Sequence, residues 1–483
     1  MKSITAAVVA ALALPMAAHA DDAGAELAAL RKDMEALRAA YEARLQALEQ
    51  RLRSAEAALA AAPAPATSAP PTTAAAPVVA PAAAPSPAVA QAAAPSPAPP
   101  SAAAAAGAGA NAFNPAVSLI LSGLYTNTSK DPAQYAIRGF PLPADAQIGP
   151  GTRGFSLAET ELGLAASIDP WLRGAAAIAI AGDNSVEVEE AFVQTTSLGN
   201  GLSLKAGRFF SGIGYLNPQH SHTWDFVDSP LAYQAMLGTQ FGDDGVQLTW
   251  LPPLDQYVEL GVEVGRGRSF PGSDTSRNGA GMFALTAHAG GDVGASHSWR
   301  AGVSMLDAKA SEQGLVATDA AGQRVAQSFT GSTRVWIADA VWKWAPDGNA
   351  QRTNFKLQGE YVQSTRRGDV VHDVGGADLA STLSVRQSGW YVQAIYQFMP
   401  RWRIGARAEG LDPGSPDYGA NTALVAPVTD RSRKDSLMLD FNPSEFSRVR
   451  LQVARDRARE GGADTQWFVQ YQMSLGAHGA HAY

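Results

Sequence analysis

The sequence predicts an all-β fold, a 16-stranded antiparallel transmembrane β-barrel with an N-terminal periplasmic coiled-coil helix. Apolar and polar residues alternate from residue 111 onward, which is the period of a β-strand and not of a helix. The alternating segments number 16, and most have about 9–12 residues, the length of a tilted membrane strand. Short connections alternate with long ones, which is typical of barrels whose rims face different compartments.

The N-terminal end has the pattern of a cleaved export signal over residues 1–20. Lys2 is followed by a short apolar run, and Ala18-His19-Ala20 has the small-x-small form of a cleavage site. We therefore expect the exported chain to begin at Asp21, with an uncleaved anchor as the alternative.

Residues 21–60 predict a coiled coil. Apolar residues recur in steps of three and four from Leu27 to Leu59, with one stutter near Tyr41. Self-association would bury this stripe, as a dimer or a trimer, whereas a single helix would have to pack on another surface. Residues 61–110 contain no charged residue and are mostly Ala and Pro, so we expect an extended linker. The barrel domain then covers residues 111–483.

The predicted strands have one apolar face and one polar face. From Trp390 to Phe398, for example, Trp, Val, Ala, Tyr and Phe alternate with Tyr, Gln, Ile and Gln. The strands are expected at residues 116–127, 153–168, 171–181, 186–196, 202–210, 244–251, 256–264, 282–290, 296–306, 333–344, 354–364, 387–398, 402–410, 434–441, 446–454 and 467–475. Loops of roughly 17 to 34 residues are expected at one rim, apart from a short connection at 182–185.

Charged residues on the polar faces are candidates for the lining of an aqueous lumen. The longest loop, 211–243, is expected to fold inward and narrow it. An Arg that faced lipid would cost about 2–4 kcal/mol, so the strand arginines are expected to point inside. Carboxylates and guanidiniums on different walls would create a transverse field, unless they only solvate the lumen or pair with each other. The pore-lining candidates are Glu159, Glu161, Asp225, Asp228, Arg401, Arg403, Arg407, Arg448 and Arg450.

Two pairs of histidines could hold a metal ion. His220 and His222 lie in the long loop, shortly before Asp225 and Asp228, and His478 and His481 lie near the C-terminus. Imidazole with carboxylate suits zinc, so zinc is the one cofactor that the sequence suggests, although both pairs could be incidental.

Composition excludes several other functions. The net charge of −8 lacks the basic excess that nucleic-acid binding needs, and the absence of Cys excludes disulfides and thiolate metal sites. No Gly-x-Ser-x-Gly motif is present, and we expect the protein not to be an enzyme.

The barrel pattern with its signal, long third loop and terminal aromatic Tyr483 resembles the trimeric outer-membrane porins. The preceding coiled coil is similar to that of the phosphate-selective and dicarboxylate-type porins. A narrower resemblance is to barrels labelled zinc-regulated or TonB-dependent outer-membrane receptors. It rests on residues 206–220 (Ala-Gly-Arg-Phe-Phe-Ser-Gly-Ile-Gly-Tyr-Leu-Asn-Pro-Gln-His), 224–226 (Trp-Asp-Phe), 245–248 (Gly-Val-Gln-Leu) and 476–481 (Gly-Ala-His-Gly-Ala-His).

These resemblances imply that the protein forms a homo-oligomer, expected to be a trimer, in the outer membrane. They also imply that its N-terminal arm lies in the periplasm. The implied partners are outer-membrane lipid, the barrel-insertion machinery and small polar solutes that diffuse passively through the lumen. Two alternatives remain open: a zinc-linked uptake channel or receptor, and an envelope tether acting through the coiled coil.

Overall fold

The computed structural model of the chain describes residues 115–158, 160–182, 185–276, 278–425, 428 and 431–476. The predicted signal, coiled coil and linker lie outside these residues, so those three predictions remain predictions. Among the described residues, no helix is long and apolar enough to cross a membrane.

The described residues form 17 antiparallel strands. The first nine are β1 (Ala116–Thr128), β2 (Gly154–Leu157), β3 (Thr160–Ser167), β4 (Leu172–Ile180), β5 (Val186–Thr195), β6 (Leu202–Phe210), β7 (Gly242–Trp250), β8 (Tyr257–Gly265) and β9 (Met282–Val293). The others are β10 (His297–Thr318), β11 (Arg324–Trp344), β12 (Asn354–His372), β13 (Leu379–Met399), β14 (Trp402–Asp412), β15 (Ser432–Ser444), β16 (Ser447–Asp456) and β17 (Asp464–Gly476).

The strands close into a barrel with 16 wall positions. From β3 onward each strand pairs with the next along the chain, and β1 closes the sheet by pairing with β17, from Ser118 opposite Gly476 to Thr128 opposite Gln466. The segments β2 and β3 both pair with β1, so together they occupy a single position. The predicted closed 16-stranded antiparallel barrel is therefore confirmed.

In contrast to a water-soluble protein, the barrel wall exposes apolar side chains on its outer face and buries polar side chains on its inner face. On β13 the outward Trp390 and Val392 are 40% and 45% exposed, whereas the inward Tyr391 and Gln393 are 0% and 3% exposed. The same alternation continues on β16, where Leu451 is exposed and the flanking Arg450 is buried. The predicted outward and inward faces of these strands are thus observed.

The long connections predicted between 306 and 333 and between 364 and 387 are wrong, because β10–β11 and β12–β13 continue there as paired hairpins. The extensions bury an apolar cluster of their own, which includes Leu315, Phe329 and Val370. Their outward residues become polar, as at Arg367 and Asp369, which ends the alternation from which the strands were predicted. Strand pairing continues because hydrogen bonding does not need an apolar outer face.

Among the described residues, helical structure is confined to the connections between strands. The α-helix α1 spans Leu231–Leu237, and short 3₁₀ helices span Pro132–Gln134, Ser221–Thr223, Pro346–Gly348 and Gly419–Leu424. Four of the eight connections at the rim next to α1 have 16 to 31 residues, and we call this end the long-loop rim. The opposite end, which includes the Pro400–Arg401 turn and the start of β1, is the short-turn rim.

Candidate functional site

The connection between β6 and β7, residues 211–241, lies inside the barrel, and we call it the inner loop. Its backbone N–H groups donate hydrogen bonds to side chains on four strands of the wall. The acceptors are Glu263 of β8, 2.8 Å from Gly212 N, and Glu360 of β12, 2.9 Å from Leu216 N. On the other side they are Glu409 of β14, 2.6 Å from Leu231 N, and Gln452 of β16, 2.8 Å from Val227 N. Since these strands lie far apart around the wall, the inner loop crosses the lumen.

Helix α1 holds the middle of the inner loop by apolar packing. It begins after Pro230 and ends at Gly238, which adopts the left-handed conformation with φ 67° and so ends the helix. All seven residues of α1 are buried. Gly389 of β13 lets the helix approach closely, because a Cβ there would lie only 3.0 Å from the Cβ of Ala232 and 3.1 Å from the Cε of Met236.

The inner wall facing α1 is apolar, which the sequence pattern did not predict. Val335, Ile337, Val362 and Leu411 point inward from β11, β12 and β14 and join α1 in one buried cluster. The expectation of a uniformly polar inner face is therefore wrong in this part of the barrel. The physical reason is that the inner loop brings its own apolar helix into the lumen, and burying it needs apolar partners.

Asp228 of the inner loop is buried between two cations on the wall. Its carboxylate forms ion pairs with Arg407 Nη2 at 2.9 Å and with Lys434 Nζ, and it accepts a hydrogen bond from Gln452 Nε2 at 2.8 Å. Arg407 also pairs with Glu409 at 2.8 Å and donates to the Asp228 carbonyl at 2.8 Å. These contacts join the loop to β14, β15 and β16, and we call them the Asp228 clamp.

Asp225 forms a second buried network nearer the short-turn rim. Its carboxylate pairs with Lys356 Nζ and lies 3.6 Å from Arg403, and Gln393 Nε2 donates to it at 3.0 Å. Arg403 in turn pairs with Asp440 at 2.6 Å. Asp440 is also paired with Arg450 at 2.7 Å, and Arg450 donates to the Trp224 carbonyl at 3.0 Å. The predicted arginines therefore hold the loop through its carboxylates and carbonyls.

Glu360 of β12 binds the start of the inner loop through four donors. The backbone N–H groups of Tyr215 and Leu216 donate at 3.3 and 2.9 Å, and the hydroxyls of Tyr233 and Tyr391 donate at 2.7 and 2.6 Å. The neighbouring Gly214 has φ 66°, and a Cβ there would overlap the Glu360 carboxylate. This arrangement explains why a glycine is needed at the start of the loop.

His220 and His222 meet carboxylates of the opposite side of the wall. Nδ1 of each ring lies 3.1 Å from Oε2 of Glu161 on β3, and the rings stack with centroids 5.6 Å apart. His220 also contacts Glu189 and Glu190 of β5 at 3.3 and 3.0 Å. The backbone between the two rings forms a 3₁₀ turn at Ser221–Thr223.

Burial and charge shift the pKa values of the inner-loop groups in different directions. Burial alone would raise the pKa of Asp228, but Lys434 and Arg407 lower it well below its usual range. Burial alone would lower the pKa of His220, but its carboxylate neighbours, Glu161 first, raise it well above its usual value. For His222 burial lowers the pKa, and Glu161 offsets this effect only in part. We therefore expect a charged His220 beside a neutral His222 when no other cation is bound.

The structure separates the predicted site residues into three groups. Asp225 and Asp228, which were expected beside the histidines, belong instead to the arginine networks, and Glu161 takes their place. Arg401 was predicted on the inner face of a strand, but it lies exposed with φ 72° in the turn between the end of β13 at Met399 and the start of β14 at Trp402. Glu159, His478 and His481 lie outside the described residues.

Several charged partners were missed by the sequence reasoning. All but one occupy inward positions of strands that were correctly located, so for these the alternation itself was the available signal. Glu189 instead lies at the register shift between β4 and β5, which alternation does not indicate. The missed partners are Glu189, Glu190, Lys356, Glu360, Glu409, Lys434 and Asp440.

Several carboxylates on β5 and β8 keep more contact with solvent than the buried ion-paired groups of β14 to β16 do. The side chains of Glu189 and Glu190 are 15% and 16% exposed and that of Glu259 is 22% exposed, whereas that of Arg450 is 1% exposed. Closer to the short-turn rim, Arg173 donates to Gln194, which donates to Ser203. The side of the lumen away from β14–β16 is therefore the wetter side.

The connection between β1 and β2 covers the lumen at the long-loop rim. Tyr135 donates to Asp456 of β16 at 2.8 Å, and the backbone N–H of Gly149 donates to Gln234 of α1 at 2.9 Å. Isolated bridges join Ile137 to Arg459 and Leu142 to Val316. The two connections therefore pack on one another inside the barrel mouth.

No protein-family model matches the chain. A protein of Aquifex aeolicus (strain VF5), described as uncharacterized, is 29% identical over 396 residues that cover 77% of this chain and 80% of that protein. Similar solved structures include a loop L8 deletion mutant of OmpT, an outer-membrane protein of Vibrio cholerae, with 9% identity, 75% of this chain and 100% of that chain covered, and a TM-score of 0.47.

Two further similar structures are described as channels. The anion-selective porin from Comamonas acidovorans has 12% identity and a TM-score of 0.45, with 75% of this chain and 99% of that chain covered. The outer-membrane channel DcaP of Acinetobacter baumannii has 12% identity and a TM-score of 0.45, with 76% and 99% covered. These likenesses are weak, and the barrel architecture rests on the strand pairing of this chain itself.

Proposed function

We propose that the protein is an outer-membrane channel of the porin type, which lets small polar solutes diffuse passively through a lumen narrowed by the inner loop. The observation that carries this proposal is a closed barrel whose exposed face is apolar and whose interior holds buried charges. A protein surrounded by water would not favour an apolar exterior and a charged interior. A barrel with lipid around it and water in its lumen would favour both.

The exterior supports insertion in a bilayer. Large apolar side chains are exposed on nearly every strand, among them Leu121, Val262, Trp336 and Tyr471. A continuous exposed apolar surface of this kind marks contact with a membrane or a partner. Because the sheet closes on itself, its backbone polar groups are paired and can enter hydrocarbon.

The interior supports a narrow and selective path. The inner loop and the β1–β2 connection occupy much of the lumen, and the guanidiniums of Arg403, Arg407 and Arg450 are neutralised by carboxylates. The wetter side instead presents Glu189, Glu190 and Glu259 to solvent. We therefore expect a small conductance that mildly favours cations.

The N-terminal arm supports an oligomeric arrangement. Strand β1 begins at the short-turn rim, which in this proposal faces the periplasm, so residues 21–110 would extend into that compartment. A heptad repeat there would join copies of the chain, with the trimer as the expected state. The stiff linker would also allow the arm to act as an envelope tether.

The test is planar-bilayer conductance of the refolded full-length chain. We expect stepwise openings, grouped in threes if the channel is a trimer, and a reversal potential in a salt gradient that indicates weak cation preference. Protein that is folded and inserted by heat-modifiable electrophoresis, yet passes no current in any lipid mixture, would contradict the proposal.

A further inference from the structure

The contact between the inner loop and β3 has the composition of a metal site. One ring nitrogen of His220, one ring nitrogen of His222 and a carboxylate oxygen of Glu161 lie within 4.8 Å of one another. Two residues belong to the inner loop and one belongs to the wall. Imidazole and carboxylate together suit Zn²⁺ and its neighbours in the first transition row.

Two of the three separations are close to the edge of a coordination tetrahedron. Each Nδ1 lies 3.1 Å from Oε2 of Glu161. Zinc bonds of about 2.0–2.1 Å place adjacent tetrahedral ligands about 3.3 Å apart. Side-chain adjustment around Oε2 would therefore let both imidazoles and the carboxylate reach one ion.

The carboxylate oxygen at the centre of the cluster faces both imidazoles. Oε2 of Glu161 is buried and lies 3.1 Å from Nδ1 of His220 and 3.1 Å from Nδ1 of His222. Imidazole nitrogens and a carboxylate oxygen that converge on one point are the ligands that a zinc-class ion prefers. A cation among these atoms would be coordinated by all three residues.

The surroundings favour a divalent ion that can enter and leave. Glu189 and Glu190 add two carboxylates within 3.3 Å of the His220 ring, so three carboxylates surround the two imidazoles. The His220 side chain is 20% exposed, whereas that of His222 is 1% exposed, so the site opens on one side. Arg448 and Gln472 donate to the His222 carbonyl at 2.9 and 3.1 Å and hold that ligand in place.

We propose that Glu161, His220 and His222 bind a divalent transition-metal ion of the zinc class and thereby join the inner loop to the barrel wall. Glu189 or Glu190 on the open side, or water, completes the coordination. The binding of the ion does not depend on the proposed channel function. The effect of the ion on the pore, which is to hold the inner loop where it narrows the lumen, rests on the proposed channel function.

The binding test is calorimetric titration of Zn²⁺ into the folded full-length chain. We expect one ion per chain at micromolar concentration, and His222→Ala should weaken binding at least about 100-fold. Glu161→Gln, which keeps the shape of the side chain, should weaken zinc binding by a similar factor. If the alanine variant misfolds, Glu161→Gln still tests whether the ion binds at this site. His297→Ala is the matched control, because that ring stacks on Trp342 away from the site.

Binding that survives both variants, or that disappears only in His478→Ala plus His481→Ala, would overturn the site. The second readout is bilayer current with Zn²⁺ added, which should fall for the wild type and not for Glu161→Gln. Current without zinc binding would refute the site and leave the channel. Zinc binding without any current would refute the channel and leave the site.

Discussion

The Asp228 clamp makes a sharp prediction about the inner loop. In Asp228→Asn the loop keeps its shape but loses the charge that faces Arg407 and Lys434, all three of which are buried. Removing one partner of a buried ion pair costs about 3–5 kcal/mol, because the remaining charge is left uncompensated. Arg407 retains Glu409, so we expect the lower end, about 3 kcal/mol, or roughly a 150-fold shift toward the released loop.

The assay is single-channel conductance, with heat-modifiable electrophoresis to show that the barrel remains closed. We expect Asp228→Asn to produce larger or more frequent openings. The double variant Asp228→Asn plus Lys434→Gln should restore part of the wild-type behaviour, since it removes both charges. Asp435→Asn is the control, because Asp435 lies on the outer face of the same strand and pairs with Arg433 there.

Conductance and gating of Asp228→Asn that match those of wild type and of Asp435→Asn would refute the reasoning. So would a double variant that is more open than Asp228→Asn alone. Either result would mean that the loop is held by apolar packing and backbone hydrogen bonds, with no net help from the ion pairs.

The remaining predictions concern pH, packing, the lipid face and the arm. Because the pKa of Asp228 is lowered in the folded protein, its stabilising effect is complete above its ordinary pKa of 3.8 and is lost as pH falls further, so conductance should rise only in baths more acidic than that. Openings that increase between pH 5 and 7 would point to another group. Met236→Ala should loosen α1 by about 2–5 kcal/mol and raise conductance, and an unchanged current would indicate that α1 does not hold the loop. Leu451→Arg should lower the free energy of unfolding in liposomes by about 2–4 kcal/mol, measured by urea titration, unless the outer face does not meet lipid. Deletion of residues 21–110 should leave the barrel folded and reduce the trimer fraction on native gels, and intact trimers would show that the arm does not drive assembly.

Much of the barrel could be predicted because its signals are local. Alternation with a period of two located every wall position, including β1 and β17, whose pairing closes the sheet. The prediction failed where the local signal changed while pairing continued, as in the β10–β11 extension. It also failed at Arg401, because polar and apolar residues alternate across the boundary between the turn and β14, so the alternation does not show where the strand begins.

The candidate site was predictable only in part. The inward direction of Arg403, Arg407, Arg448 and Arg450 followed from strand parity. Their partners did not, because Asp228 is separated from Lys434 by 206 residues and from Arg407 by 179. The same difficulty kept Glu161 apart from the histidines, although each residue had been noted separately.

The amino-acid sequence by itself determined the number of wall positions, the side on which most strand residues lie and the length of the loop available to enter the lumen. Those properties depend on side-chain period and spacing along one stretch of chain. Only the tertiary structure decided which charges meet, that an apolar helix fills part of the lumen, and that Glu161 joins His220 and His222. Those contacts depend on how a flexible loop settles across a closed wall, where the partners compete through burial and charge and not through sequence distance.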